Sequence, residues 1–394
     1  MEPITDTASL AEFCRRLAGT GFITVDTEFL RERTYWPVLC LVQVAGPEEA
    51  RCIDPLAPGI DLAPLFELMA DSSVLKVFHA ARQDVEIFLH RSGKVPAPIF
   101  DTQIAAMVCG FGEAASYETL ASKLARARID KSLRFTDWAA RPLSERQLHY
   151  ALSDVTHLRV AYEKLASRLA RTGRASWVAE EMALLAAPAT YLVDPDEAWR
   201  RLRFRSTNPT FLAVLKELAA WREREARDRD LPRQRLVRDD ALLEIAAHAP
   251  TTVEALGRLR GLPKGMADGR LGPAMVEAVN RALALPADRR PAMPERAELP
   301  RRLGPTVDLL KLLLKLKCDQ HEVAPRLVAG AADLEAIAAD DAADVPALHG
   351  WRRELFGEDA LRLKHGRLGV ALADRGEGIR LIALENGDAA KAGG

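Results

Sequence analysis

FITVDTE, residues 22–28, is the stretch from which the rest of the chain is read. Apolar and β-branched residues fill it, so it reads as a strand that runs out into a loop. A period of two places Asp26 and Glu28 on one face, roughly 7 Å apart, and leaves Val25 and Thr27 on the core side. A strand that aims two acids the same way either faces solvent or binds cations.

Working outward, VLCLVQVA (38–45) predicts a second strand beyond a loop at Leu30–Pro37. ARCIDP (50–55) predicts a short third strand after the turn at Gly46-Pro47, LAPLFELMAD (62–71) a helix and VLKVFHA (74–80) a fourth strand. From Gln83 onward the apolar spacing is about 3.6, so helices alone are expected. Three strands, a helix, a strand and more helices define an α/β domain with a mixed sheet. The clearest helix runs over 144–168, with Ser144 as N-cap and Gln147 completing a capping box. Leu148, Leu152, Val155, Leu158 and Tyr162 form its apolar stripe. Helical stretches near 176–187 and 195–205 follow.

A helical module begins near Asn208-Pro209, with helices expected over about 210–228, 239–248 and 273–284 and a short turn after Thr251. PADRRPAMPERAELPRRLGP (286–305) is rich in proline and charge and reads as a linker. Helical spacing resumes at Val307. PRLVAGAADLEAIAA (325–339) echoes RQRLVRDDALLEIAA (233–247), and each follows a long helix that starts with Leu-Lys. The module is therefore repeated in degenerate form. The expected division is 1–205, 206–287, a linker at 288–305, 306–385 and a flexible tail at 386–394.

The 394 residues carry 55 Lys and Arg against 56 Asp and Glu, which excludes a uniformly basic nucleic-acid coat. The balance conceals an asymmetry. Residues 200–305 hold 22 basic against 14 acidic residues, and the remainder holds 33 against 42. No apolar run is long enough to span a membrane, and MEPITDTASLAEF has no signal-peptide core. Five widely spaced cysteines without a CxxC pair point to free thiols in a reducing cytoplasm.

Two further acids join the strand pair. Asp84 starts the helix after the fourth strand, where the helix dipole favours it. Tyr150 and Asp154 share a face at i and i+4, and Asp154 lies beside the apolar stripe, where a carboxylate needs a partner or a metal. Four carboxylates and one phenol suit two hard divalent cations, Mg²⁺ or Mn²⁺, which together clamp an in-line phosphoryl displacement. Tyr150 is placed to orient the attacking water.

DTEFLRERTYWPVLCLVQV (26–44), HAARQDVEIF (79–88), DTQIAA (101–106) and DWAARPLSERQLHYALSDVTHL (137–158) resemble ribonuclease D. The resemblance implies a DEDDy 3′→5′ exonuclease on an RNase H-like (DnaQ-like) fold. Asp26, Glu28, Asp84 and Asp154 match its metal-binding acids, and Tyr150 matches the tyrosine that names the subclass. Residues 208–287 resemble an HRDC domain, a helical module shared with RecQ-type helicases. LHGWRRELFGEDAL (348–361) resembles the family's second, divergent HRDC-like domain. The fold implied is an α/β exonuclease domain followed by two all-α HRDC-type domains.

Other residues are weighed beside these. His79 is placed to touch the scissile-phosphate region or to orient Asp84, or else it is a core histidine. Asp101-Thr102 caps a helix or supports the metal site from beneath. Arg31, Arg33, Tyr35 and Trp36 occupy the loop after the acid pair, either stacking on bases and binding phosphate or packing over the core. Thr27 and Phe29 lie where backbone can approach a terminal nucleotide. In the arginine run 222–238, acids interleave with the first half, leaving Arg233, Arg235 and Arg238 as the candidates for phosphate contact.

The expectation is a metal-dependent exoribonuclease that releases nucleoside 5′-monophosphates. The resemblance implies that it trims tRNA precursors and other small structured RNAs. It is expected to be a cytoplasmic monomer. A DNA 3′→5′ exonuclease and a non-catalytic RNA-binding protein are the competing readings. Nuclease assays with and without EDTA, on matched RNA and DNA, separate the three.

Overall fold

In the computed structural model, which describes residues 2–133, 136–262, 265–292, 300–373 and 378–384, the acid-bearing strand is β1, Phe22–Leu30. The other strands of its sheet are β2 (Val38–Ala45), β3 (Ala50–Ile53), β4 (Leu75–Phe78) and β5 (Ile99–Asp101). Their order is β3-β2-β1-β4-β5. β1 runs antiparallel to β2 and parallel to β4, so the sheet is mixed, as expected. β5 corrects the expectation that strands end at Gln83. Three residues are too few to show an alternation, and Asp101 carries a helix-cap signal because it is the strand's last residue and the next helix's N-cap.

Among the described residues, six α-helices accompany the sheet: α1 (Thr7–Leu17), α2 (Ala63–Ala70), α3 (Arg82–Ser92), α4 (Thr102–Val108), the short α5 (Tyr117–Leu120), continued by a π turn over Ala121–Ala125, and α6 (Glu145–Thr172). The Ser144–Gln147 capping box is present in full at the start of α6. Val25 and Thr27 are buried as expected. The opposite face of β1 is covered too. Thr24, in phase with Asp26 and Glu28, donates from its hydroxyl to the Val155 carbonyl of α6 at 2.8 Å. That buried bond ties the strand carrying two acids to the helix carrying Asp154.

α7 (Ala175–Ala186) leads to the first helical module: α8 (Pro209–Asp228), α9 (Arg233–Leu236), α10 (Asp239–His248), α11 (Val253–Gly257) and α12 (Leu271–Leu283). Its core of Leu212, Leu215, Leu242, Ile245, Met275 and Val279 also takes in Tyr35 from the β1–β2 loop. The repeat is visible in the second module. There α13 (Gly304–His321), α14 (Pro325–Val328) and α15 (Ala331–Ala339) reproduce the long helix, four-residue turn and helix of α8, α9 and α10. Val237 and Ala329 are both extended at the same point of the motif.

The second module ends with α16 (Gly350–Arg352) and α17 (Glu358–Lys364), then the antiparallel hairpin β6 (Leu368–Leu372) and β7 (Ile379–Ala383). An all-α expectation does not contain this hairpin. Its two apolar five-residue runs match a helix stripe as well as a strand pair. The second module docks on the sheet domain, where Trp177 stacks on Trp351 at 4.5 Å and Ala324 donates to the Met107 carbonyl at 2.9 Å. Of the expected linker, Arg290 is fixed by bonds to Thr210 and the carbonyls of Leu283 and Leu285. Residues 293–299 and the expected tail at 386–394 lie outside the described residues. All five cysteines are free and buried. Among the described residues, no helix is long and apolar enough to cross a membrane.

Candidate active site

β1 and α6 bring the predicted acids together. One carboxylate oxygen each from Asp26, Glu28 and Asp154 lies within 4.8 Å of the others. Asp84 joins from the first turn of α3. It is buried, and its Oδ1 accepts a short hydrogen bond from the hydroxyl of Thr27, the residue between Asp26 and Glu28. Thr27 thus ties Asp84 of α3 to the strand that carries Asp26 and Glu28. The register of β1 against β2 shifts between Glu28 and Phe29, a bulge at the strand's acidic end.

Crowding shows in the proton affinities. Burial, then the neighbouring acids, pushes Glu28 up to about 9. Burial and Asp26 push Asp154 up to about 8, with the Tyr150 phenol pulling the other way. Burial raises Asp26 to about 6, and burial with the charge of Asp26 raises Asp84. Burial and the charge of Asp154 raise Tyr150 as well, so its hydroxyl keeps its proton and stays a donor. Asp154 Oδ1 is buried with no hydrogen-bond partner. An unpaired buried carboxylate oxygen inside an acid cluster is costly unless a proton or a cation neutralises it. The donor set, all oxygen and at most four negative charges, fits hard divalent metals and is wrong for soft ones.

A cavity of about 380 Å³ opens on the cluster, lined by Asp26, His79, Gln103, Tyr117, Tyr150 and Asp154 among others. Tyr117 is a residue that the sequence reading missed, since it carries no charge pattern and its SYETL context signals only a helix start. Its hydroxyl donates to the Ser153 carbonyl at 2.8 Å. His79 lies edge-on to Tyr117 at 5.7 Å, with Nδ1 3.0 Å from Thr102 Oγ1, and burial lowers its proton affinity. Asp101 accepts from the backbone N–H groups of Ala80, Ala81 and Gln103 at 3.0, 2.9 and 2.7 Å. It therefore caps α4 and also holds the turn that leads into α3 and Asp84.

The remaining candidates lie elsewhere. Phe29 packs against the sheet-domain core. Arg31 makes a bidentate pair with Glu86 of α3 at 2.7 and 2.8 Å. Tyr35 is buried against α8, and Trp36 stacks on His90 at 4.0 Å. Arg233 is paired with Glu223, and Arg238 lies 3.2 Å from Asp240 on the surface. Arg235 lines a groove of about 420 Å³ with Arg260, Leu262 and Met266, and no ion pair engages it among the described residues.

A mixed sheet of this order, with carboxylates gathered from β1, α3 and α6 beside an open cavity, fits the class of divalent-metal-dependent nucleases. A family described as 3'-5' exonuclease matches residues 1–170, and one described as HRDC domain matches 211–279. Ribonuclease D from Nitrobacter hamburgensis is 52% identical over 97% of this chain and 99% of its own. Ribonuclease D from Gluconacetobacter diazotrophicus is 53% identical over 93% of each. The crystal structure of Escherichia coli RNase D, described as an exoribonuclease involved in structured RNA processing, superposes with a TM-score of 0.80 at 31% identity. It covers 93% of this chain and 98% of its own. The chain belongs to the ribonuclease D family of 3′→5′ exoribonucleases.

Proposed function

We propose that Asp26, Glu28, Asp84 and Asp154 hold two divalent cations, Mg²⁺ or Mn²⁺, and that Tyr150 orients the attacking water. The observation that carries this reading is the convergence of three carboxylate oxygens within 4.8 Å, on Asp26, Glu28 and an Asp154 whose Oδ1 is buried without a hydrogen-bond partner. When bound, the ions would ionise water and stabilise the leaving 3′ oxygen. Tyr150 keeps its proton and directs a lone pair of the water toward phosphorus. Thr27 and Asp101 keep Asp84 in place. The cavity walls at His79 and Tyr117 seat the terminal nucleotide, whose 5′-monophosphate leaves after each cut.

Precursor tRNAs and other small structured RNAs with a free 3′ end are the substrates this reading favours. The Escherichia coli relative's description as an enzyme of structured RNA processing supports RNA over DNA. Arg235 and the weakly paired Arg238 are assigned to the RNA backbone. The protein is read as a cytoplasmic monomer divided at 205, 287 and 305.

Digestion of a tRNA carrying a 3′ extension tests the reading. Parent enzyme with Mg²⁺ should release nucleotides one at a time and stop near the mature end. Asp26→Asn and Asp154→Asn should each slow release by at least about a hundredfold while circular dichroism stays unchanged. Faster cutting of a DNA oligonucleotide of matched sequence would overturn the RNA assignment.

A further inference from the structure

The strongest unassigned feature is a clasp between the β1–β2 loop and the HRDC domain. Glu223 sits on α8 and is 1% exposed, although it is an acid. Its carboxylate takes two bonds from Arg233, one of them at 2.7 Å, and one from Arg227 at 3.3 Å. Tyr35 donates its hydroxyl to the same carboxylate from 188 residues away in sequence. The Tyr35 oxygen in turn accepts from Arg233 at 2.8 Å and Arg227 at 3.0 Å. The Arg233 guanidinium lies 4.6 Å from the centre of the Tyr35 ring. One residue on, the Trp36 N–H donates to Asp230 at 3.0 Å.

The other side of this short loop is bolted to α3. Arg31 holds Glu86 in a bidentate pair, and the Trp36 ring lies flat on His90 with an interplanar angle of 8°. Glu86 is two residues beyond Asp84, and Arg31 is three residues beyond Glu28. The loop thus spans the two elements that carry three of the acids, and the HRDC domain grips it in the middle. A buried, fully paired network of this kind has one geometry and resists shear. A displacement of about 1 Å at reacting groups can cost a hundredfold in rate.

We propose that Tyr35 and Glu223 are positioning residues, through which the HRDC domain fixes the separation of β1 and α3 and hence the geometry of the catalytic acids. The domain then acts on the chemical step itself, even for a substrate too short to touch it. The proposal rests on the reading that Asp26, Glu28 and Asp84 hold the metal.

The full chain is assayed on two substrates, a single-stranded RNA and the p-nitrophenyl ester of uridine 5′-monophosphate, which carries one nucleotide. Tyr35→Phe and Glu223→Gln should each lower kcat on both substrates by the same factor, about tenfold or more. Each should raise the Mg²⁺ concentration for half-maximal rate and, in thermal melts without substrate, for half-maximal stabilisation, and leave KM for RNA unchanged. The double variant should be no slower than the slower single, because both changes break one network. Loss confined to RNA, with ester turnover and Mg²⁺ requirement unchanged, would make the pair an RNA contact and overturn the proposal. Unaltered kcat on both substrates would overturn it too. Should Glu223→Gln fail to fold, Tyr35→Phe decides, since it keeps the buried ring and removes one hydroxyl. Asp84→Asn is the control for the metal reading. If it retains activity, that reading fails whatever the clasp variants do.

Discussion

The Tyr117 hydroxyl donates a 2.8 Å hydrogen bond to the carbonyl of Ser153, the residue before Asp154. The short helix α5 on the cavity wall is thereby fastened to the turn of α6 that carries both Asp154 and, four residues earlier, Tyr150. The same Tyr117 ring meets His79 edge-on, so one side chain supports two walls of the cavity. Tyr117→Phe keeps the ring contacts and deletes one hydrogen bond, which is worth about 1 kcal/mol. The melting temperature should fall by about 2–4 °C. Turnover should fall several-fold with KM for RNA little changed, because the loss is one of alignment. Thermal melts and steady-state kinetics on one preparation check both.

Crowding of the acids makes stability depend on pH and metal together. Asp26 at about 6, Asp154 at about 8 and Glu28 at about 9 bind protons more tightly than free carboxyls do. Between the ordinary carboxyl range near 4 and about 9, the folded chain therefore holds more protons than the unfolded one, and its stability falls as pH rises. Below that window both forms are protonated and the effect vanishes. In EDTA the melting temperature should drop steadily from about pH 5 to about pH 9. Saturating Mg²⁺ binds the deprotonated cluster, so the stabilisation by metal should grow with pH. Asp154→Asn removes one of the repelling charges and should melt higher than the parent in EDTA near pH 8. Melting curves with and without metal across that range are the measurement. Parallel curves would show that the acids do not bind the ion.

Asp101 shows how one buried acid can serve two elements. Its three backbone hydrogen bonds cap α4 and hold Ala80 and Ala81 at the entry to α3, where Ala80 adopts a left-handed φ of 57°. Asp101→Ala orphans three N–H groups at a 3% exposed site, and removing a cap alone costs about 1 kcal/mol. The total loss should be about 2–4 kcal/mol, with turnover reduced through Asp84. Asp101→Asn keeps an acceptor and should recover part of both. Urea unfolding alongside RNA digestion distinguishes this from a purely structural cap, for which stability alone would change.

The parts legible in the sequence are those whose partners are near in the chain or fixed by periodicity. Asp26 and Glu28 are two residues apart, Tyr150 and Asp154 one helical turn apart, and Ser144 and Gln147 form a local cap. The α8–α9–α10 motif was legible because its echo at 325–339 repeats both the apolar positions and the break between helices. What remained hidden depends on docking. Tyr35 reads in sequence either as a base-stacking residue or as loop packing, because a loop aromatic beside arginine looks the same whether it meets RNA or a domain, and its burial in the core of the helical module decides for packing. Tyr117 carries no charge and no period. β5 is three residues long, and the β6–β7 hairpin has apolar spacing that fits a helix equally well.

The arginines of the HRDC domain illustrate that limit and supply the last test. Linear sequence groups Arg233 with Arg235 because no acid lies between Arg233 and Asp239, yet Arg233 reaches ten residues back to Glu223. In the folded chain its charge is consumed, while Arg235 faces a groove with Arg260 and an apolar floor of Leu262 and Met266. Arg235→Ala should leave the melting temperature unchanged and weaken RNA binding. The slope of log affinity against log salt should become shallower by about one, the signature of one lost phosphate contact. Arg233→Ala should do the reverse. It leaves the carboxylate of Glu223 underpaired in a buried site, which costs about 3–5 kcal/mol. Its effect on RNA should appear in turnover rather than in the salt slope. Filter binding at several salt concentrations, with melts of the same two variants, separates a phosphate contact from a buried brace. An unchanged slope in Arg235→Ala would remove that groove from the RNA path.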